Sequence, residues 1–153
     1  MSAIEDKLAQ QGIALPQAAA PVANYVPFAL TGNLLFMAGQ LPLKDGKLLA
    51  VGKLGAEVGL EDGSLAARQC AINLLAQAKA ALGDLDRVKR VLRLGVFVAS
   101  AADFTDHPKV ANGASDIMAL AFGDAGRHVR TTVGCPSLPL DAAVEADAIF
   151  EFE

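Results

Sequence analysis

The chain has 153 residues, 53% of them hydrophobic and 20% charged, with a formal net charge of −4. Its mean hydropathy is +0.37 and its pI about 5.1. These values fit one folded domain, exclude intrinsic disorder, and argue against nucleic acid as the main partner, because phosphate binding draws on a basic face. So few charges cover a small domain's surface poorly, which predicts apolar surface buried between copies of the chain.

From Leu8 to Leu43 the chain runs 36 residues without a charge. Pro16, Pro21, Pro27 and Pro42, with Gly12, Gly32 and Gly39, interrupt that run, so it is not a membrane-spanning helix. The opening MSAIEDK lacks the basic region and apolar stretch of a signal peptide. Cys70 and Cys135 form no CxxC pair. The expected location is the cytoplasm, with both thiols reduced.

In chain order, Ser2 and Glu5 make a capping-box pattern for a short helix from Ile4 to about Gln11, stopped by Gly12. This helix belongs to an N-terminal extension over residues 1–16. Two strands follow, Asn24–Thr31 and Leu34–Gly39, joined at Thr31-Gly32-Asn33, and Asp45-Gly46 turns the chain into a short third strand over Lys47–Val51. Ser64 caps a helix that runs to Leu82 and ends at Gly83. Ala67, Ala71, Leu74, Leu75, Ala78 and Leu82 form its apolar stripe, with Gln69, Asn73 and Gln77 on the other side.

Arg87–Ala99 reads as a long strand in which Leu92, Leu94, Val96 and Val98 share a face, and a helix follows Pro108. Two strands close the chain, about His128–Gly134 and Ala143–Phe152. The whole predicts a single α+β domain over 1–153: one mixed sheet with two helices on one face, plus the short N-terminal helix.

Arg130 is the most informative residue. Val129, Thr131 and Val133 alternate to one strand face, and His128, Arg130 and Thr132 to the other; in the last strand Val144, Ala146, Ala148, Phe150 and Phe152 face the core, turning Glu145 and Asp147 away from it. If these strands form a hairpin around Gly134–Asp141, Arg130 falls near Asp147 and Thr132 near Glu145. The planar guanidinium fork could then hold a small carboxylate substrate, with an acid left to position water. Spacing alone favours the plainer reading of a cross-strand salt bridge.

Other residues point less far. His107, before Pro108, reads as a helix cap, and His128 shares the Arg130 face. Two histidines 21 positions apart, without cysteine or acid at ligand spacing, do not make a zinc site. Gly52-Lys53-Leu54-Gly55 lacks the phosphate-loop pattern, and strand alternation splits the basic run RVKRVLR. Cys135 has no base partner in the sequence.

Asn24-Tyr25-Val26, then Gly32-Asn33-Leu34-Leu35-Phe36-Met37-Ala38-Gly39-Gln40-Leu41-Pro42, Val96-Phe97-Val98 with Asp103-Phe104, Arg130-Thr131-Thr132-Val133, Leu138-Pro139 and Val144–Ile149 stand in an ordered set. That set resembles the signatures of the Rid family, the reactive intermediate deaminases also called YjgF or L-PSP proteins. The resemblance covers about Ala23 to Phe152. It implies a chorismate mutase-like homotrimer with clefts between subunits, and hydrolysis of reactive 2-imino or enamino acids to 2-keto acids and ammonia without a metal or cofactor. By the same resemblance Arg130 would clamp the substrate carboxylate, Tyr25 would line the cleft, and Gly39 would bring backbone to the ligand. Asp147 would match the water-positioning acid, with Thr132 assisting. The sequence departs from the deaminase pattern at Ala38, where serine is common, at Thr132, where cysteine is frequent, and at Asp147, where the family carries glutamate.

Three functions are therefore expected in order: an imine or enamine hydrolase acting through Arg130, Asp147 and Thr132; a trimeric protein that binds a 2-keto acid or similar small carboxylate without turnover; and, last, an endoribonuclease.

Overall fold

The computed structural model describes residues 2–21 and 23–153. Met1 of the predicted extension and Val22 of the loop after it lie outside the described residues. The extension's helix, α1 (Ala3–Gln10), forms as the capping box predicts: the Ser2 hydroxyl accepts from the Glu5 amide at 3.1 Å. A second, distant acceptor fixes its position. The Asp86 carboxylate takes the Ala3 and Ile4 amides at 3.0 and 3.1 Å, and Lys79 pairs with Glu5 at 2.8 Å. Two otherwise orphaned helix-start amides are thus satisfied from across the chain.

The strands are β1 (Phe28–Thr31), β2 (Leu34–Gln40), β3 (Leu43–Lys44), β4 (Lys47–Leu48), β5 (Val88–Ala99), β6 (Val129–Cys135) and β7 (Val144–Phe152). The strand predicted from Asn24 begins only at Phe28, and the predicted third strand is β4 of a two-stranded hairpin with β3. The main sheet has the order β1-β2-β7-β5-β6, with β5 and β6 parallel and the other neighbours antiparallel. Helices α2 (Leu60–Leu82) and α3 (His107–Phe122) cover one face, burying Leu94, Val96, Val98, Val144, Ala146, Ala148 and Phe150 beneath them. This is the predicted α+β class.

Three expectations are corrected. The long helix starts at Leu60 behind Gly59, a turn before Ser64. Its polar stripe is not solvated: Gln69, Asn73 and Gln77 are 5%, 8% and 1% exposed. Each is satisfied instead. Gln69 donates to Asn73, Asn73 donates to the Leu41 and Leu43 carbonyls, and Gln77 donates to the Ala19 carbonyl at 2.8 Å. The chain after α1 and the β3–β4 hairpin therefore pack over this stripe, and the amides meet the need of buried polar groups for partners. Finally, bulges between Val88 and Arg90 and between Val91 and Arg93 shift the alternation of β5, so Val91 rather than Leu92 reaches the core.

The two main helices meet at Gly113. A Cβ there would strike the Ser64 carbonyl oxygen of α2, a backbone atom that cannot swing aside. Gly113→Ala is expected to cost about 1–3 kcal/mol in urea unfolding through overpacking; an unchanged midpoint would show that the helices are free to separate.

Candidate functional site

The parallel β5–β6 pair decides where Arg130 points. Its backbone lies beside Leu94, a fully buried core residue, and Thr132 lies beside Val96. Neighbours across a ladder project to the same face. Arg130 and Thr132 therefore face the helix side of the sheet, while Val129 and Val133, 70% and 45% exposed, face outward. Arg130 extends along α3. Its Nη1 donates to Asn112 Oδ1 at 2.9 Å and to Ser115 Oγ at 3.0 Å, and its Nη2 donates to the Pro108 carbonyl at 3.4 Å.

A guanidinium has five N–H donors. Those three bonds leave the Nε hydrogen and one on Nη2, and adjacent donors on Nε and Nη2 suit a two-pronged carboxylate contact. Among the described residues no carboxylate pairs with Arg130. The half-buried Thr132 hydroxyl, on the same face, is enclosed without a hydrogen-bond partner. At the end of this row a Cβ on Gly134 would run into the Ser100 and His107 side chains, which are bonded to each other at 3.2 Å. His107 is thus not the predicted cap. Asp106 holds the cap position, and the imidazole bonds Ser100 and stands edge-on to Phe104 beside a cavity of about 440 Å³.

The expected hairpin between the last two strands does not exist. β5 lies between them, so Asp147 faces Gly95 and Arg130 faces Leu94, on opposite sides of the sheet. Asp147 instead pairs with Arg93 at 3.4 Å above Gly95, where a Cβ would displace the two side-chain tips. Thr132 likewise does not meet Glu145. The cross-strand salt bridge exists on the sheet, but its arginine is Arg93.

Glu145 is the acid that spacing alone did not single out. Its carboxylate lies against Gly39 so closely that a Cβ there would overlap Oε1, and a cavity of about 70 Å³ beside it is lined by Tyr25, Gln40, Asn73 and Pro139. Burial first, and the nearby Asp147 charge second, raise its pKa above the usual glutamate value. Ala38 adjoins this group through its backbone, donating to the Pro27 carbonyl and accepting from the Gln40 side chain. The structure thus brings together Arg130 with Thr132, and separately Tyr25 and Gly39 with Glu145. Asp147 adjoins the second group, near enough for its charge to act on Glu145, and pairs with Arg93.

Among the described residues no three metal-ligating side chains converge, and no helix is long and apolar enough to cross a membrane. The outer sheet face and its approach leave Phe36, Tyr25, Val26, Val129 and Val133 exposed.

A model of the family described as "YjgF/chorismate_mutase-like, putative endoribonuclease" matches residues 5–150. Protein TCP17 of Trypanosoma cruzi is 50% identical over 145 residues, covering 94% of this chain and 91% of that protein. The crystal structure of Atu1372 from Agrobacterium tumefaciens, a protein of unknown function, is similar with a TM-score of 0.93 at 48% identity, covering 98% of this chain and 92% of that one. The YjgF gene product of E. coli is similar at a TM-score of 0.65 and 25% identity, over 88% of this chain and 93% of the other.

The raised pKa of Glu145 has a definite stability consequence. The folded state holds that proton more tightly than the unfolded chain does, so Glu145 contributes a growing penalty as pH rises from the usual glutamate range, near 4.3, through the raised value. Glu145→Gln removes the penalty. The variant is expected to melt above the parent at neutral pH and to lose that advantage near pH 4; a variant that melts below the parent at neutral pH would contradict the assigned burial.

Proposed function

Because the chain belongs to the YjgF/chorismate mutase-like family, we propose that it binds a small 2-imino carboxylate at Arg130 and hydrolyses it to the 2-keto acid and ammonia, in a cleft closed by a second copy of the chain. The observation that carries this reading is the state of Arg130. A half-buried guanidinium held only by neutral acceptors retains its full charge and two N–H donors, and a carboxylate supplies the missing countercharge. A structural salt bridge would have consumed both.

The substrate carboxylate lies across the free Nε and Nη2 donors. That contact fixes C2 of the imine. The imine carbon is already electrophilic, so orientation and a held water supply most of what hydrolysis needs. Glu145 takes the role first assigned to Asp147. Its carboxylate takes one proton from water as the water oxygen bonds to C2 and passes it to nitrogen, giving the carbinolamine; it then takes the hydroxyl proton as the C=O bond forms and passes that to nitrogen as the C–N bond breaks. Imine plus water gives keto acid plus ammonia, with no proton unaccounted for. A carboxyl whose pKa is pushed upward is suited to carrying that proton near neutral pH.

Arg130 and Glu145 stand on opposite faces of one copy, so the reaction needs them from different copies. The exposed apolar residues on the outer sheet face supply a surface for such an assembly. A closed ring of three repeats the cleft three times, and the cytoplasm is its proposed location.

Complementation separates this account from a site within one chain. Arg130→Ala and Glu145→Ala variants are each expected to form keto acid from a freshly generated 2-imino acid no faster than buffer. Unfolded together and refolded as mixed oligomers, they would regain a part of the parental rate, because some clefts then receive both native residues. Parental turnover in Arg130→Ala would reject the site. Carboxylate binding by the parent without turnover would select the non-catalytic binding protein.

A further inference from the structure

We propose that His128, acting through Ser115, is a positioning residue that fixes the Arg130 guanidinium for the substrate carboxylate; this rests on the reading of Arg130 just given. For a neutral imidazole the hydrogen bonds have one consistent direction. His128 Nδ1 lies 2.7 Å from the Gly126 carbonyl oxygen, which can only accept, so Nδ1 carries the proton. The neutral ring then presents the bare Nε2 lone pair to Ser115 Oγ at 2.9 Å. The serine hydroxyl donates to it, and a serine oxygen lone pair turns to Arg130 Nη1 at 3.0 Å. The chain of donation runs Arg130 to Ser115 to His128 to the Gly126 carbonyl.

Its far end is anchored. Gly126 ends a tight turn over Gly123–Gly126, buried so closely against α3 that a Cβ would strike the Met118 carbonyl oxygen. The imidazole therefore hangs from a rigid point, and the serine hydroxyl cannot rotate without losing its acceptor. Asn112 and the Pro108 carbonyl hold the other side of the guanidinium. With Ser115 they occupy both Nη1 hydrogens and one on Nη2, which leaves the Nε–Nη2 edge for the ligand. Ordering a long arginine side chain before binding removes an entropic cost that the ligand would otherwise bear. Neither His128 nor Ser115 reaches the reacting atoms in this scheme.

Nitrogen-15 NMR of the parent protein reads the histidine directly. The expected result is a protonated Nδ1 and an unprotonated Nε2 on His128; the opposite tautomer would overturn the proposal without reference to activity. For the ligand, calorimetry with pyruvate as the probe is expected to show Kd raised about tenfold in His128→Ala, the worth of one hydrogen bond in a charged network. KM for the 2-imino acid should rise similarly while kcat stays within about twofold. His128→Gln, whose side-chain oxygen can still accept from Ser115, should restore most of the affinity, and the losses in Ser115→Ala and His128→Ala should combine to less than their sum. Unchanged affinity in His128→Ala, or no rescue by glutamine, overturns the positioning role. If Arg130→Ala also binds pyruvate as the parent does, the carboxylate reading fails as well. If Arg130→Ala loses binding while His128→Ala keeps it, only the positioning role fails.

Discussion

The parallel pairing of β5 with β6, with α3 as the connection between them, is the constraint from which the candidate site follows. It sets Arg130 beside the buried Leu94 and so sends the guanidinium toward α3, not toward the acids of β7. It also makes β6 an edge strand. A long polar side chain can lie on the core-facing side of an edge because the first half of the helix above presents carbonyl, amide and hydroxyl groups that meet it: Pro108, Asn112 and Ser115. Were β6 paired with β7, Arg130 would meet a carboxylate and its charge would be spent within the chain.

Charge is distributed accordingly. The outer face carries its own compensated pair, Arg93 with Asp147, in which both side chains keep more than a third of their surface in contact with solvent. Such a pair contributes little to stability. Its effect is local: it occupies Asp147 and leaves Glu145 as the acid beside Gly39. Among the described residues Arg130 has three neutral acceptors and no anion, an arrangement that tolerates the cation and favours an incoming carboxylate. Glu145 carries the reciprocal cost, since burial and the Asp147 charge both disfavour its ionised form.

Local signals in the sequence were sufficient for most elements. The Ser2–Glu5 pattern, Gly83 after the long helix and Pro108 at the start of the last one all mark real ends, and the count of two helices over one sheet face follows from them. Pairing was harder. Strand, helix, strand over β5, α3 and β6 is the arrangement that predicts parallel neighbours, yet the short Gly134–Asp141 connection invites a hairpin, and spacing alone does not choose. That choice determined which acid lay near which base. Polarity misled in another way at Gln69, Asn73 and Gln77. A residue pattern shows that these side chains need partners, but not that the partners are the carbonyls of Leu41, Leu43 and Ala19, supplied by segments remote in the chain. Ser115 and Asn112 were invisible for the same reason: each becomes meaningful only once α3 is laid against β6.

The account depends on one carboxylate occupying the free edge of Arg130 while a neighbouring copy presents Glu145 to it. A crystal structure of the protein soaked with a 2-keto acid tests this most directly. The ligand carboxylate should span Arg130 Nε and Nη2, with Glu145 of an adjacent copy reaching the keto carbon through a water. A ligand bound elsewhere, or an assembly in which Arg130 faces only solvent, would contradict it.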